Sequence, residues 1–512
     1  MAGQPARRLN PLLVAALIAG LALAVYWRTA SPTITFRHDG PDSGDLVTAA
    51  INLGIPHPTG YPLYTMLAHL VTLLPGEPAG NVSRFSGLCA ALAVGVLVLA
   101  SYAATTNRAK DGNALVHLVA AATAAGMLAF GSLLWSQATI PEVYAQSALL
   151  VALWLWLVVA AGRPARPYLL ALVFGLVLAH HVAAALLLPS LWPYARAIRR
   201  WLTPRRAGAL LLCLLPGLAM YVYLPLRASA QPVPNWGQAS EWSGFVWLVT
   251  GKAYQSYLGG LLAQQWPRRL AAWLSIWVRE LGVVGLALVL LGLWKAWDSD
   301  RRRTLHGLTY LTLTSAHAIA YGTTDSYVYL VPVALFVALW LAEGAAALLV
   351  ELREWLHARG RRTLSTVALL AVLVLPAGSL VARFATMDLS QDQEAYQAGM
   401  SLLQGAEPEA VLISRGDLQT FPLWYCRYGL GQRRDVTVVD RYLLALGWYR
   451  SQVAALSPEL AGLPAQGDST EATKLVVSAL GASRPVQLTY EDQDLLNAYR
   501  WSFDGRLYTL RP

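Results

Sequence analysis

The sequence predicts a polytopic α-helical membrane protein that carries a small α/β domain at its C-terminal end. Three observations predict it. Of the 512 residues, 56% are hydrophobic and only 13% are charged, whereas soluble domains run near a quarter charged. Apolar runs close to the roughly 20 residues needed to cross a bilayer recur along the chain. Basic residues gather in alternate loops between those runs. Together these exclude an ordinary soluble enzyme, and the apolar content and lack of a short period exclude disorder, collagen and a coiled coil. The net charge of +10 would suggest nucleic acid in a soluble protein. Here the placement of the charges matters more than their sum, and no nucleic-acid partner is expected. Three cysteines, Cys89, Cys213 and Cys426, are too few for a disulfide framework.

Taken in order, the apolar runs read as spans near residues 9–30, 84–104, 114–134, 143–161, 167–180, 182–195, 207–225, 277–297, 305–322, 328–350 and 363–383. The fifth and sixth divide one run, Tyr168 to Tyr194, at His180-His181 and Pro189. As a single tilted helix that run would put the following basic loops on the wrong side, so two short helices are expected. Nineteen of the 39 basic residues then fall on one side, from Arg7-Arg8 to Arg361-Arg362, and only six lie in the longer opposite loops. Because cytoplasmic loops carry the excess of Lys and Arg, the N-terminus is expected inside and residues 384–512 outside. A bacterial inner or plasma membrane is the expected location. The first span has the basic start of a signal peptide but no clear cleavage site, and reads as a retained anchor.

A transmembrane domain over residues 1–383 and an extracytoplasmic domain over 384–512 are therefore expected, with large outer loops at 31–83 and 226–276. Trp266, Trp273 and Trp277 suggest an interfacial helix with an aromatic belt. In the terminal domain, the short apolar runs 410–414, 436–439 and 486–489 read as strands. Trp501 to Leu510 reads as a hairpin around Asp504-Gly505. Helical spacing follows over 418–430. Gly416-Asp417 suits a plain turn or a ligand site at a strand end.

Polar groups beside spans are costly and point to function by default, and here they collect at outer ends. Asp42-Ser43-Gly44-Asp45 offers crowded carboxylates, one of which can serve as a base. An N-cap at Asp42 or Ser43, with Asp45 in the first turn of the helix that follows, is the alternative. His57-Pro58-Thr59-Gly60-Tyr61-Pro62 makes a rigid turn that would fix His57 and Tyr61, or simply a helix break. Glu142, beside Trp135, Gln137 and Tyr144, faces either a polar cavity or the start of its helix. His180-His181 has no third ligand at standard spacing, so no metal is expected. Arg227, near Asn235-Trp236-Gly237, suits a phosphate, or it snorkels to headgroups. Asp325 opens the tenth span beside Tyr327. No phosphate-cradling glycine loop is present, so no nucleotide cofactor is expected.

Asp42-Ser43-Gly44-Asp45 followed by His57-Pro58-Thr59-Gly60-Tyr61-Pro62 resembles the transmembrane-protein-260-like protein O-mannosyltransferases, formerly a domain of unknown function. Trp135-Ser136-Gln137, Glu142-Val143-Tyr144, His181, Tyr223 to Arg227, Asn235-Trp236-Gly237, Asp325 with Tyr327 and Tyr329, and Asp417 through Tyr425 also match. This chain departs from the family at Asp45, where the family has Glu, and at Thr59, where it has Pro. It also has His180 where the family has Asn. The resemblance is most specific over residues 36–200 and implies a C-type glycosyltransferase-like fold. It further implies an essential acid in the first outer loop, a polyprenyl-phosphate sugar donor, and a protein or glycolipid acceptor. The expected catalytic residues are Asp42, Asp45 and Glu142. The expected substrate-binding residues are His57, Tyr61, Tyr144, His181, Arg227, Asn235, Trp236, Asp325 and Tyr327, and no cofactor is expected. The expected activity is transfer of a monosaccharide, with mannose the family's sugar, to an acceptor hydroxyl outside the membrane. A transporter or flippase of lipid-linked glycans, or a noncatalytic scaffold, is the alternative. The absence of an internal repeat and the one-sided placement of the acids weigh against transport.

Overall fold

In a computed structural model, the structure describes residues 10–106, 113–160, 166–463 and 467–512. The basic residues Arg7, Arg8, Arg108, Lys110 and Arg163, used above to orient the chain, lie outside them.

Among the described residues, six helical segments are long and apolar enough to cross a membrane by themselves. These are α1 (Pro11–Thr29), α4 (Pro78–Thr106), and the segments Pro204–Ser229, Ala263–Ser299, Ser326–Ala358 and Arg362–Met387. The pair α5 (Ala114–Ala129) and α6 (Ser132–Ala138) makes a seventh, bent by 62°. The expected count of eleven is thus not confirmed. The fourth and fifth runs form the shorter apolar helices α7 (Tyr144–Val159) and α8 (Arg166–His180). The sixth run is no α-helix: it winds as two 3₁₀ turns, Val182–Leu187 and Pro189–Tyr194, because Pro189 and Pro193 cannot donate the bonds an α-helix needs. The ninth becomes a 20-residue helix whose Arg, His and Thr content leaves it short of the hydropathy of a lone span.

Between the spans, α2 (Ser43–Asn52) and α3 (Pro62–Thr72) lie in the first loop. The α2 helix ends at Leu53 in the left-handed region, and Pro62 starts α3, where a missing N–H costs nothing. After α8 come α9 (Ala195–Trp201), α10 (Pro204–Ala219), α11 (Tyr223–Ser229) and α12 (Trp242–Val249). Trp266, Trp273 and Trp277 all lie on the helical piece that precedes a break at Gly282. They begin the long α13 (Trp266–Ser299), which changes direction at Gly282, φ 62°, a conformation that favours glycine. The bundle continues with α14 (Arg301–Ala320) and α15 (Val331–Ala358), then α16 (Arg362–Ala371) and α17 (Val374–Met387).

The α15 segment is the axis of the bundle. Its apolar window is 83% buried, against 22% for α1 and 11% for Pro204–Ser229, so the latter two present most of their surface to lipid. Against α13, Gly344 and Gly292 let the backbones touch: a Cβ on Gly292 would lie 1.7 Å from the Trp340 carbonyl oxygen, and one on Gly344 1.9 Å from that of Leu288. In lipid, where no hydrophobic drive pairs helices, such small-residue contacts supply the packing.

The terminal region opens with α18 (Glu394–Gly405) and builds a five-stranded sheet in the order β2-β1-β3-β5-β4. The strands are β1 (Val411–Ser414), β2 (Thr437–Asp440), β3 (Val486–Leu488), β4 (Arg500–Phe503) and β5 (Tyr508–Arg511). β1 pairs in parallel with β2 and β3, with Val411 opposite both Thr437 and Val486. β4 and β5 form the hairpin, closed by Asp504 Oδ1 accepting from the Arg506 and Leu507 amides. All five strands fall where the sequence places them. The helical stretch after β1 is shorter than expected: α19 (Asp417–Trp424) gives way to a wider π-helical turn over Tyr425–Gly429. One buried apolar cluster runs from Leu46, Ile55 and Tyr64 in the first loop, through Trp236 in the second, to Phe421 and Val439 beside the sheet. The two outer loops and the sheet thus share one core.

Candidate active site

The site is built where α2, the His57 turn and the second loop meet α19. Asp42 occupies the position before α2 yet makes no capping bond with its side chain, so capping does not account for it. Asp45, one turn on, is completely buried. Its Oδ2 accepts from the His57 amide at 2.9 Å and from His57 Nδ1 at 2.8 Å, and its Oδ1 accepts from Trp236 Nε1 at 3.0 Å. The other imidazole nitrogen, Nε2, lies 3.6 Å from Asp42 Oδ2. Asp42 keeps 38% of its side chain exposed, so it is the carboxylate that meets the cleft, while Asp45 holds His57.

Charges set the chemistry of this triad. Burial raises Asp42 above the ordinary carboxylate range; His57 opposes that, and Asp45 and Asp325 add to it. Water reaching the exposed part of Asp42 tempers the effect without reversing it. Burial works against a charged His57, but Asp42 and the Asp45 hydrogen bond outweigh it and lift the imidazole to about 9. Glu142 is buried and accepts only from the Val143 amide, at 3.0 Å. Burial, then the Asp42 charge, pushes it up to about 8. At neutral pH the cleft therefore holds an imidazolium beside a carboxylate of raised basicity, and a largely neutral Glu142.

Around the triad runs an aromatic wall. The His57 ring lies 5.3 Å from Tyr61, Tyr61 lies 5.7 Å from His181, and His181 lies 5.9 Å from Tyr144 and 5.7 Å from Tyr329. The two adjacent histidines divide: His180 Nε2 bonds the Val143 carbonyl at 2.8 Å, holding the Glu142 turn, while His181 faces the wall. Asp325 joins through its charge, which acts on Asp42, Glu142 and Tyr329.

Three expected residues lie elsewhere. Arg227 points at the end of α2, where its Nε and one terminal nitrogen donate to the Leu53 and Asn52 carbonyls at 2.7 and 3.0 Å. It stitches the two outer loops together. Asn235 does similar work, donating to the Ala228 carbonyl while its amide bonds Gln452. Tyr327 donates to Asp39 and lines a neighbouring groove of about 270 Å³ with Arg269, Arg279, Trp273 and Leu330. Arg269 is tied to the Tyr321 and Thr323 carbonyls. Arg279 is exposed, and its guanidinium makes no hydrogen bond or ion pair among the described residues.

The site also contains groups outside the expected catalytic and binding sets, among them Asp417, for which the sequence offered a plain turn or a ligand site at a strand end. Asp417, at the first turn of α19, is exposed to the cleft. Desolvation, then the charges of Asp42 and Asp440, raises its carboxyl to about 7. Its position follows from α19: Phe421, one turn on, packs on Gly44 of α2 and on the Trp236 ring. Tyr254, from the second loop, lies within reach of the charges on Asp42, Asp417 and Asp45. A lone Tyr in a Tyr-rich loop gave no signal. Arg279 was one of six outer cations, and nothing in its sequence neighbourhood distinguishes it. Among the described residues, no group of three or more His, Cys, Asp or Glu is arranged to hold a metal.

Two family models match the chain. The protein O-mannosyl-transferase TMEM260 N-terminal domain covers residues 42–201, starting at Asp42, and the TMEM260-associated domain 2 covers residues 395–493. The protein O-mannosyl-transferase TMEM260 of Mus musculus is 28% identical over 498 residues, covering 89% of this chain and 67% of the relative. That of Dictyostelium discoideum is 20% identical, covering 83% of this chain and 57% of the relative. The chain thus spans about two thirds or less of these relatives. In fold it is similar to ArnT from Cupriavidus metallidurans, solved both bound to undecaprenyl phosphate and in the apo state. In each case the TM-score is 0.57, with 14% identity and 97% of both chains covered.

Proposed function

The chain belongs to the TMEM260-like family of protein O-mannosyltransferases, and from that premise we propose that its outer cleft transfers one sugar from a polyprenyl-phosphate donor to an acceptor hydroxyl. The observation that carries the reading is the triad. Asp45 locks His57, His57 faces Asp42, and Asp42 alone of the two carboxylates is open to the cleft. The acceptor O–H gives its proton to Asp42 as its oxygen attacks the anomeric carbon. The carbon–oxygen bond to phosphate breaks on the opposite face, with inversion, and polyprenyl phosphate leaves. Raised basicity suits Asp42 to take that proton, and the adjoining His57 cation stabilises the carboxylate until it does.

A leaving phosphate needs a cation within reach. Arg227 is engaged with α2, so the role passes to Arg279 in the groove beside Tyr327, whose Trp273, Ile276 and Leu330 wall suits a prenyl chain. The aromatic wall of Tyr61, Tyr144 and His181 suits the sugar. Asp417 and Tyr254, carried by the sheet region and the second loop, face the acceptor side. The names of the relatives support mannose as the sugar and protein as the acceptor. The undecaprenyl phosphate bound to the ArnT neighbour supports a polyprenyl-phosphate carrier here.

The test is Asp42→Asn. The amide keeps the size of the side chain but cannot accept a proton at useful pH. Labelled polyprenyl-phosphate mannose, supplied in detergent with an acceptor peptide, should be turned over about 10²–10⁴-fold more slowly, the range of general-base catalysis, while donor binding persists. Near-wild-type transfer would remove Asp42 from the chemistry and make Glu142 the base.

A further inference from the structure

The helices that carry the cleft at one end carry a second, basic site at the other. The α14 helix ends beside Tyr321 at the cleft and begins at Arg301; its 20 residues span roughly 30 Å at 1.5 Å each. Likewise α7 starts with Tyr144 at the cleft and ends with Val158 and Val159 at the far side. There two cavities adjoin, sharing Arg302. One, of about 550 Å³, is lined by Arg166, Tyr194, Asp300, Arg302 and Arg303 beside Val158. The other, of about 570 Å³, is lined by Arg196, Arg200, Arg206, Arg302 and Trp201.

The arginines here differ in what holds them. Arg303 is buried and paired with Glu343, and Arg166 donates to the Val158 carbonyl. Arg206 lies over the Trp201 ring, 5.0 Å from its centroid, and donates to the Trp201 carbonyl. Arg301 lies 4.5 Å over the Trp297 ring. Among the described residues, Arg196, Arg200 and Arg302 make no hydrogen bond, ion pair or ring contact. They come from two elements far apart in sequence, α9 and α14, yet converge on one space where Asp300 is the sole lining acid among the described residues. Charge bias between the two faces of a membrane requires basic residues somewhere on this side; it does not require three unpaired guanidinium groups to face one cavity. Arg forks match phosphate oxygens in pairs, and basic pockets between membrane helices take phosphate-bearing headgroups.

We propose that the paired cavities around Arg302, at the end of the bundle opposite the sugar-transfer cleft, bind a polyanion carrying two phosphates. The volume exceeds what one phosphate fills, and three free cations balance two phosphates better than one. The same chemistry comes from a diphosphatidyl lipid headgroup or from a soluble diphosphate, and the site does not depend on the reading of the cleft.

The test uses the full-length protein with two probes. Inorganic pyrophosphate is titrated in detergent and binding is read by thermal shift. Cardiolipin retention is read by native mass spectrometry after reconstitution in nanodiscs of phosphatidylcholine with and without cardiolipin. We expect saturable binding of at least one probe, weakened at least tenfold by Arg302→Gln and less by Arg302→Lys. Pyrophosphate alone identifies a soluble ligand, and cardiolipin alone identifies a lipid. Arg359→Gln is the control: it removes one charge near this face, but its guanidinium lies over the Trp355 ring, outside the cavities. Insertion is safeguarded because a single Gln removes one of many basic residues. Failure of both probes to bind saturably, or equal weakening by Arg359→Gln and Arg302→Gln, would overturn the proposal.

Discussion

Asp42 and Asp45 are three residues apart, and their environments give them different work. Asp45 is saturated by three donors, whereas Asp42 has one near neighbour and open solvent. Asp45→Ala should therefore cost stability first: it strands His57 and the Trp236 N–H, and breaking a buried ion pair costs about 3–5 kcal/mol. Asp42→Asn should leave the melting temperature nearly unchanged while transfer collapses. Melting curves and turnover measured on both variants separate positioning from proton transfer. If Asp45→Ala melts like the wild type, the triad is mis-described.

The same residues give stability a pH dependence of definite sign. His57 binds its proton more tightly folded, at about 9, than unfolded, at 6.5. Its contribution is complete below pH 6.5 and is lost as pH rises through 9. Glu142 is likewise raised, from 4.5 to about 8, so folding favours its neutral form and its contribution fades across that window. Both effects make the protein less stable toward alkaline pH. Glu142→Gln, neutral at every pH, should flatten the decline and melt above the wild type at pH 9. A parallel decline in both proteins would show that Glu142 does not titrate in this window.

At the scale of elements, the decisive contact is α19 on α2. A Cβ on Gly44 would lie 2.5 Å from the Phe421 carbonyl oxygen and 2.6 Å from its carbon, and backbone atoms cannot swing aside. Ala stabilises a helix interior by roughly 0.5–1 kcal/mol relative to Gly, while overpacking costs about 1–3 kcal/mol. The second term wins. Gly44→Ala should lower the melting temperature and slow transfer, because it lifts α19, and Asp417 with it, away from Asp42. An unchanged or higher melting temperature would show that α19 does not press on α2 in solution. The strands were legible because short, fully apolar runs bounded by turn residues leave few alternatives. The 3₁₀ turns at Val182–Tyr194 were not, because hydropathy counts Pro189 and Pro193 as nearly neutral and ignores their missing donors.

For the whole molecule, the shared core of both outer loops and the sheet requires that all three lie on one side of the membrane. From the basic loops we propose that this side is extracytoplasmic. A cysteine placed at Ser401, on α18, should react in intact cells with an impermeant thiol reagent once any outer membrane is permeabilised. The native Cys89 and Cys426 are buried and Cys213 sits in α10, so background should be low. Labelling that needs a broken inner membrane would invert the protein, and with it the access of donor and acceptor to the cleft.

By itself the sequence determined the membrane class, the sheet and the collection of polar motifs at one set of helix ends. Each follows from composition and period, which are properties of neighbouring residues. It also drew Asp42, His57, Glu142 and His181 into one candidate site. Only the tertiary structure decided which acid faces the cleft, since the Trp236 donor that occupies Asp45 lies 191 residues away. It likewise turned Arg227 onto carbonyls 174 and 175 residues distant and left Arg279 open in the groove beside Tyr327. A buried polar group must find its partners wherever packing brings them, and no local pattern records which distant residue arrives first.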